Sequence, residues 1–588
     1  MSVPTRSGGA ARLGGDAGGH GGIAANPPGL AQAGRPEGGV TRRHVLAAAG
    51  LAPLAACDWL HGDDARALDG AWVGLSHERG HRLRGAAAST GAAPVPALQR
   101  RCAVIVVGAG VAGLAAARAL TQAGIDDVHV FDVEDGAGGN SRGLSINGLR
   151  CPLGAHYLPV PDEDNAEAIE LLEAFGVRST RGGRAVYDER HLVHSPQERL
   201  HVGGQWVEGL LPPVEALPLA ERASTTAQYA RFSREVDALR AGGRFRIPTA
   251  SSRWDAELEG FDAITFATWL DRRGYDAPAL RWYLDYCCRD DYGAGAATVS
   301  AWAGLHYFAS RHGFRDPGAG EGGETGEGVL TWPEGNAWLV ERMAAPLGAR
   351  LHAGCVALRI DEGRHAVDVD LWNVAASRVE RWTAAHVVTA VPLFVARRIV
   401  VEPPPALVAA AAALQYAPWL VVNVALDAPL DDVPGAPPSW DNVVYGSSGL
   451  GYVDAGHQSM RPVAERVVLT AYRAFGDGDA AQRATARSRL LAEPWQPHAA
   501  ALFAEWEAVH PDLQRKARQV RLMRYGHAMS IPVPGVRSSP ALAALAAVPG
   551  RVQFAHGDLA GYSIFEEALH HGRRAARAVS AARAVAAV

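Results

Sequence analysis

The apolar positions of this chain change their spacing along its length, and the changes outline its elements. Ala103–Val107 is a short continuous apolar run, the pattern of a strand buried on both faces. An alanine-leucine helix is expected over Leu114–Ala123, then a second strand in D-V-H-V-F-D, ending at Asp132. Asn165–Gly176 and the stretch around Leu280–Tyr286 repeat apolar residues at helical spacing. Trp419–Leu426 and Arg466–Tyr472 read as strands, suited to flooring a cavity. The loop compositions D-D-V-P-G-A-P-P-S-W-D and G-A-G-E-G-G-E-T-G-E-G interrupt these elements. Residues 1–40 are glycine-rich, lack apolar periodicity and are left out of the fold.

A different pattern closes the leader. Arg42 and Arg43 precede the apolar run Val45–Ala56, and L-A-A-C ends it at Cys57. The order of charge, apolar run, small residues and cysteine is that of an export signal, too short to span a bilayer. The paired arginines predict the twin-arginine export machinery, which carries folded proteins, and the L-A-A-C predicts a lipid anchor at Cys57. Asp58 resembles an inner-membrane retention signal, so the expected location is periplasmic and anchored to the inner membrane. Residues 1–56 are then leader and signal, and 57–100 a loose tether.

Composition narrows the chemistry further. The 588 residues leave room for two or three domains, and the formal net charge of −5 comes without a basic stripe, so nucleic acid is not an expected partner. Besides Cys57, the cysteines are Cys102, Cys151, Cys287, Cys288 and Cys355. They lack C-x-x-C pairs, so neither a disulfide framework nor a metal site is expected. Lys516 is the only lysine.

Gly108, Gly110 and Gly113 form G-x-G-x-x-G between the first strand and its helix. The first glycine permits a tight turn, the second lets backbone approach a pyrophosphate, and the third lets helix and strand pack closely. Phosphate charge would sit against the free N–H groups at the helix start. Asp132 lies at the spacing of a ribose-binding acid. NAD and FAD share this fingerprint.

The residues that follow separate the two. D-V-E-D-G-A-G-G-N-S-R-G resembles the E-x-x-x-x-x-G-G-R extension of flavoenzymes of the amine oxidase type, with Gly138 and Gly139 as its glycines. Asn140 replaces the family's arginine, and Arg142 stands near enough to substitute. Leu153–Pro161 resembles the family's segment beside the flavin. Near the C-terminus, a strand, Gly557-Asp558 and a helix around Ser563–Arg574 are similar to the family's closing motif. The resemblance implies that Asp558 bonds the ribityl–pyrophosphate region, that the helix start near Ser563 faces the flavin, and that Val356 gives adenine a backbone contact.

The resemblance further implies an α/β fold, with a Rossmann-type FAD-binding domain and a discontinuous α+β substrate domain. The FAD domain would comprise 101–160, 331–400 and 546–588; the substrate domain, 161–330 and 401–545. The implied chemistry is FAD-dependent oxidation of a small amine, a polyamine among the candidates, by hydride transfer to flavin N5. Desaturation or dehydrogenation of an apolar substrate on the same scaffold stays open, as does a non-catalytic flavin-binding lipoprotein.

Tyr562 resembles a wall of the family's aromatic cage, and His156, Tyr157 and His527 are further pocket candidates. The family's lysine near N5 aligns with Arg397 or Arg398; arginine keeps the charge but does not exchange protons near neutrality. This leaves oxidase and dehydrogenase both open. Asp162, Glu163 and Asp164, and Asp290 with Asp291, are acidic clusters suited either to substrate or to helix capping and solvent.

Overall fold

The apolar run at Ala103–Val107 becomes the buried half of the strand Leu98–Val107, at the centre of a parallel sheet. A computed structural model describes residues 68–86, 95–315, 328–459 and 465–586. Arg42, Arg43 and Cys57 lie outside the described residues.

In this first sheet Leu98–Val107 pairs in parallel with Val128–Phe131 on one side and Arg378–Thr389 on the other. Leu351–His352 extends it beyond Val128–Phe131, and Val552–Phe554 pairs with the end of Arg378–Thr389. The N-terminal half of Arg378–Thr389 also closes an antiparallel meander with Val367–Asn373 and Cys355–Glu362. Three distant chain segments thus build one sheet, as the motif positions require. The helix Val111–Gln122 covers one face, and the closing helix Phe565–Ala586 packs on it. The approach is close because small residues meet: a Cβ on Gly572 would stand 2.2 Å from the Ala112 carbonyl oxygen.

The second sheet has eight strands. In spatial order they are Asp69–Trp72, Ala517–Ile531, Gln415–Leu426, Val467–Ala474, Tyr452–Asp454, Asp441–Val444, Glu198–Val202 and Gln205–Glu208. Gln415–Leu426 is buried almost throughout because both its faces are covered, which is why it reads as continuous apolar sequence. The helices Trp495–Glu507 and Ala480–Ala492 back one face. The other face looks toward the helices Leu219–Arg240, Pro278–Tyr292 and Ala301–Tyr307.

Three expectations need correction. The stretch 57–100 is not a loose tether throughout: Asp69–Trp72 is an edge strand of the second sheet, and His77–Ala86 is helical. The hairpin Glu198–Val202 and Gln205–Glu208 puts strands into the segment read as helical. The domain boundaries also move. The helices Pro405–Ala413 and Pro540–Ala546 share the apolar core beneath the first sheet, so 401–414 and 533–545 pack with the nucleotide side. Their apolar faces carry no mark of which neighbour they meet, so composition could not assign them.

Candidate active site

Two glycines of the first loop, Gly108 and Gly113, are held where a side chain has no room. Gly108 has φ +102°, and a Cβ on Gly113 would lie 1.9 Å from the Gly108 carbonyl oxygen. Gly139, at φ +56°, faces Gly110 so closely that its own Cβ would stand 3.2 Å from the Gly110 Cα. The two glycine turns therefore abut, and Gly138 N–H donates to the Ala109 carbonyl at 2.9 Å. The helix start at Val111 has no side-chain cap, leaving N–H groups for an anion. Arg142 packs over Gly138, and its Nη1 is buried without a hydrogen-bond partner. An orphaned guanidinium nitrogen beside an uncapped helix start fits a pyrophosphate.

Asp132 holds this loop together. Its carboxylate accepts from Ala109 N–H at 2.7 Å and Glu134 N–H at 2.9 Å, and its carbonyl takes the Cys355 N–H. That last bond sets Val356 beside the expected ribose acid, with Trp372 as its cross-strand partner. Asp558 plays a similar internal part and is fully buried. Its Oδ2 accepts from Leu393 N–H at 2.9 Å and the Tyr416 hydroxyl at 2.6 Å, and its Oδ1 lies 3.2 Å from His556 Nδ1. Burial pushes its carboxyl up, but His556 and these donors leave it below the usual range. Its Oδ2 is taken up within the turn, whereas its buried Oδ1 has no hydrogen-bond partner.

The segment Leu153–Tyr157 is fixed from the floor: Tyr525 donates to the Leu153 carbonyl at 2.8 Å, and Tyr472 to that of Gly154 at 3.1 Å. His156 stacks on Tyr472 with ring centroids 4.5 Å apart, and burial lowers its pKa to about 3, so it is neutral. Tyr157 meets Trp440 edge-on, and its hydroxyl stands 3.5 Å from the Asp290 carboxylate.

Around this aromatic wall lie acids that the sequence reading had not brought together. Glu198 and Asp441 are register partners on adjacent parallel strands. Burial raises Glu198 to about 7; burial, with Asp291 adding, raises Asp290 to about 7. Asp441 is pushed well above the carboxylate range by burial, then by Asp290 and Glu198. Tyr157, Glu198, Asp290 and Asp441 each keep part of their surface open. These partly exposed, strongly desolvated groups, joined through Tyr157, form one acidic and aromatic cluster, called the chamber below. Like charges side by side across strands are unfavourable without a cation, and among the described residues Glu198 and Asp441 have no ion-pair partner.

The model of the flavin-containing amine oxidoreductases matches residues 111–580. The chain belongs to that family. Its cofactor, FAD, is the group that the glycine cradle and Arg142 fit. The chain is 28% identical over 304 residues to AofH of Mycobacterium tuberculosis, whose name places it among flavin-containing monoamine oxidases. That match covers 51% of this chain, which spans 58% of the relative's length. In fold the chain resembles putrescine oxidase solved with putrescine bound, with TM-score 0.59 and 18% identity over 83% of this chain and 100% of the other. It likewise resembles cyclohexylamine oxidase of Brevibacterium oxydans, with TM-score 0.59 and 18% identity over 82% and 99%.

Several residues expected from this family's pattern stand elsewhere. Tyr562 is 1% exposed, with its hydroxyl 3.0 Å from His306 Nε2 and 3.1 Å from Glu567 Oε1. The rings of Tyr292, Trp302 and His306 surround it in the core, apart from the cluster of Tyr157, His156 and Trp440. His527 is exposed and lies tilted against Phe394 with ring centroids 4.7 Å apart, grouped with Tyr416 rather than with Tyr157. Arg397 and Arg398 are exposed on the helix Leu393–Ile399, whose buried face is Leu393, Ala396 and Ile399. Lys516 is no substitute, being paired with Asp431 and with Asp512 at 2.7 Å. Ser563 Oγ accepts from Ser530 N–H at 3.1 Å, tying the closing motif to the floor sheet.

The acidic clusters separate cleanly. Glu163 reaches in to the buried Arg178, and Asp164 pairs with Arg246 at the surface. Asn165, not an acid, caps the helix that follows. Asp290 faces the chamber, whereas Asp291 points to Arg311 at 3.8 Å. Glu198 and Asp441 were missed because each is a lone acid at the start of a strand, where solvent is the ordinary expectation.

Proposed function

We propose that this chain oxidises a polyamine, an amine with a second cationic group, by hydride transfer to the N5 atom of FAD. The observation that supports this is the pairing of Glu198 with Asp441 in a chamber that Asp290 and aromatic rings also line. When bound, FAD supplies the hydride acceptor. The chain's own part is to bind and orient the amine. Tyr157, His156 and Trp440 exclude water around the reacting carbon, which lowers the amine's pKa toward the neutral form that can release hydride as its C=N bond forms. Asp290 sits near neutrality and can take the proton shed by an entering ammonium. The acid pair holds the far cation, and the aromatic walls attract it on entry. An apolar desaturase substrate would leave these carboxylates desolvated and unpaired.

The same proposal places the enzyme in the periplasm, exported folded and lipid-anchored at Cys57, so that an acceptor other than oxygen is within reach. Anaerobic mixing of the holoprotein with mono-, di- and polyamines tests the reaction. Bleaching of the flavin by diamines and polyamines supports it, and a flavin that stays oxidised with every amine refutes it. Admission of oxygen afterwards distinguishes oxidase from dehydrogenase. Loss of incorporated fatty acid in Cys57→Ser tests the anchor.

A further inference from the structure

The segment just before the nucleotide domain touches both sheets and three of the apolar cores. Asp69–Trp72 pairs in parallel with Gln519–Leu522 on the edge of the floor sheet. Arg521 grips Asp69 at 2.7 Å, and Trp72 packs on His498 beneath the Arg524 guanidinium. The chain then crosses to the other sheet. Ser76 N–H donates to the Glu134 carboxylate at 3.0 Å, and Arg79 holds the Val133 carbonyl at 3.1 Å and Asp135 at 2.7 Å. One turn later the Arg82 guanidinium lies 4.7 Å above the Trp372 ring. Leu68 and Trp72 pack on the core behind the floor sheet, Val73 and Leu75 on the chamber core, and Leu83 on the core beneath the nucleotide sheet.

The docking points on the nucleotide side share one location. Residues 133–135 directly follow Asp132, and Trp372 is the cross-strand partner of Val356. Both therefore border the end of the cradle where the adenosine of FAD is expected. Glu134 is buried, and burial raises its carboxyl. Its partner from this segment is a backbone N–H, which stays whatever the side chain at 76.

We propose that residues 69–83 are a strap that retains FAD by fastening the ribose-side loop Val133–Asp135 to the floor sheet. The strap limits how far the two sheets can part at the adenosine end, so cofactor release requires it to lift. The inference rests on the FAD cradle and not on which amine is oxidised.

The test uses full-length holoprotein and follows FAD release, after dilution, by recovery of free-flavin fluorescence. Arg79→Asp and Asp135→Arg should each release FAD about fivefold faster, the upper range for a solvent-facing ion pair, and the double reversal, which restores the ion pair but not the Arg79 bond to the Val133 carbonyl, should be slower than Arg79→Asp alone. Arg82→Ala, at an exposed position that cannot disturb a core, should speed release about twofold to threefold. If either single reversal fails to fold, Arg82→Ala decides. Release at the wild-type rate in the folded variants, or a double reversal that folds but releases FAD no more slowly than Arg79→Asp, overturns the strap.

Discussion

Glu198 and Asp441 stand side by side as register partners on neighbouring parallel strands, two carboxylates without a cation between them. The sheet tolerates this pair at a cost, and neutralising a member removes that cost along with the cation-binding charge. Glu198→Gln and Asp441→Asn should each lower kcat/KM for a diamine by about tenfold to a hundredfold, ~1.4–2.7 kcal/mol, and leave a monoamine of equal length within about twofold. Steady-state kinetics on matched substrates check the split.

Glu198 and Asp290 together predict an unusual dependence of stability on pH. Glu198 and Asp290 titrate in the folded chain near 7, above their unfolded values. Between roughly pH 4 and 7 the folded state therefore holds more protons than the unfolded one, and their contribution to stability falls as pH rises. Glu198→Gln should raise the Tm of the apoprotein at pH 8 and leave it nearly unchanged at pH 4. Thermal denaturation at both values decides this, and a lower Tm at pH 8 contradicts the chamber's electrostatics.

Tyr562 and Tyr157 should separate by phenotype. Tyr562→Phe removes a hydroxyl shared by buried His306 and Glu567, so it should cost about 1–3 kcal/mol in denaturant unfolding with little change in amine selectivity. Tyr157→Phe should spare stability and shift the pH profile of flavin reduction, because the hydroxyl meets Asp290.

The glycine cradle makes a paired prediction. Gly113→Ala forces a Cβ to 1.9 Å from a backbone oxygen and should abolish the folded holoprotein. Gly110→Ala has its nearest atom at 3.8 Å and should fold, yet bind FAD at least about tenfold more weakly. Absorbance of purified protein and equilibrium FAD binding measure both.

Arg398→Ala tests the residue aligned with the family's lysine. Because Arg398 is solvated, the substitution should change stability by less than about 0.5 kcal/mol and leave the rate of flavin reduction unaltered.

The nucleotide side was legible because its constraints are steric and local. Gly113 is forced by the Gly108 carbonyl five residues before it and Gly108 by its positive φ, and the run Ala103–Val107 is forced by burial on both faces. The chamber was less legible because its members come from separate segments: Tyr157 from the flavin-side turn, Asp290 from a helix, Glu198 and Asp441 from two strands. Each looks ordinary in its own neighbourhood, and only the pairing of strands Glu198–Val202 and Asp441–Val444 gives them meaning. Tyr562 misled for the converse reason. Its local motif resembles a cage wall, while Trp302, His306 and Tyr292 enclose it.

The most direct measurement is anaerobic stopped-flow reduction of the flavin by a diamine and its matched monoamine, in the wild-type protein and in Glu198→Gln. The account predicts rapid bleaching of the wild type by the diamine, with the preference for the diamine lost in the variant. Equal preference in both proteins, or no bleaching by the diamine in the wild type, would contradict it.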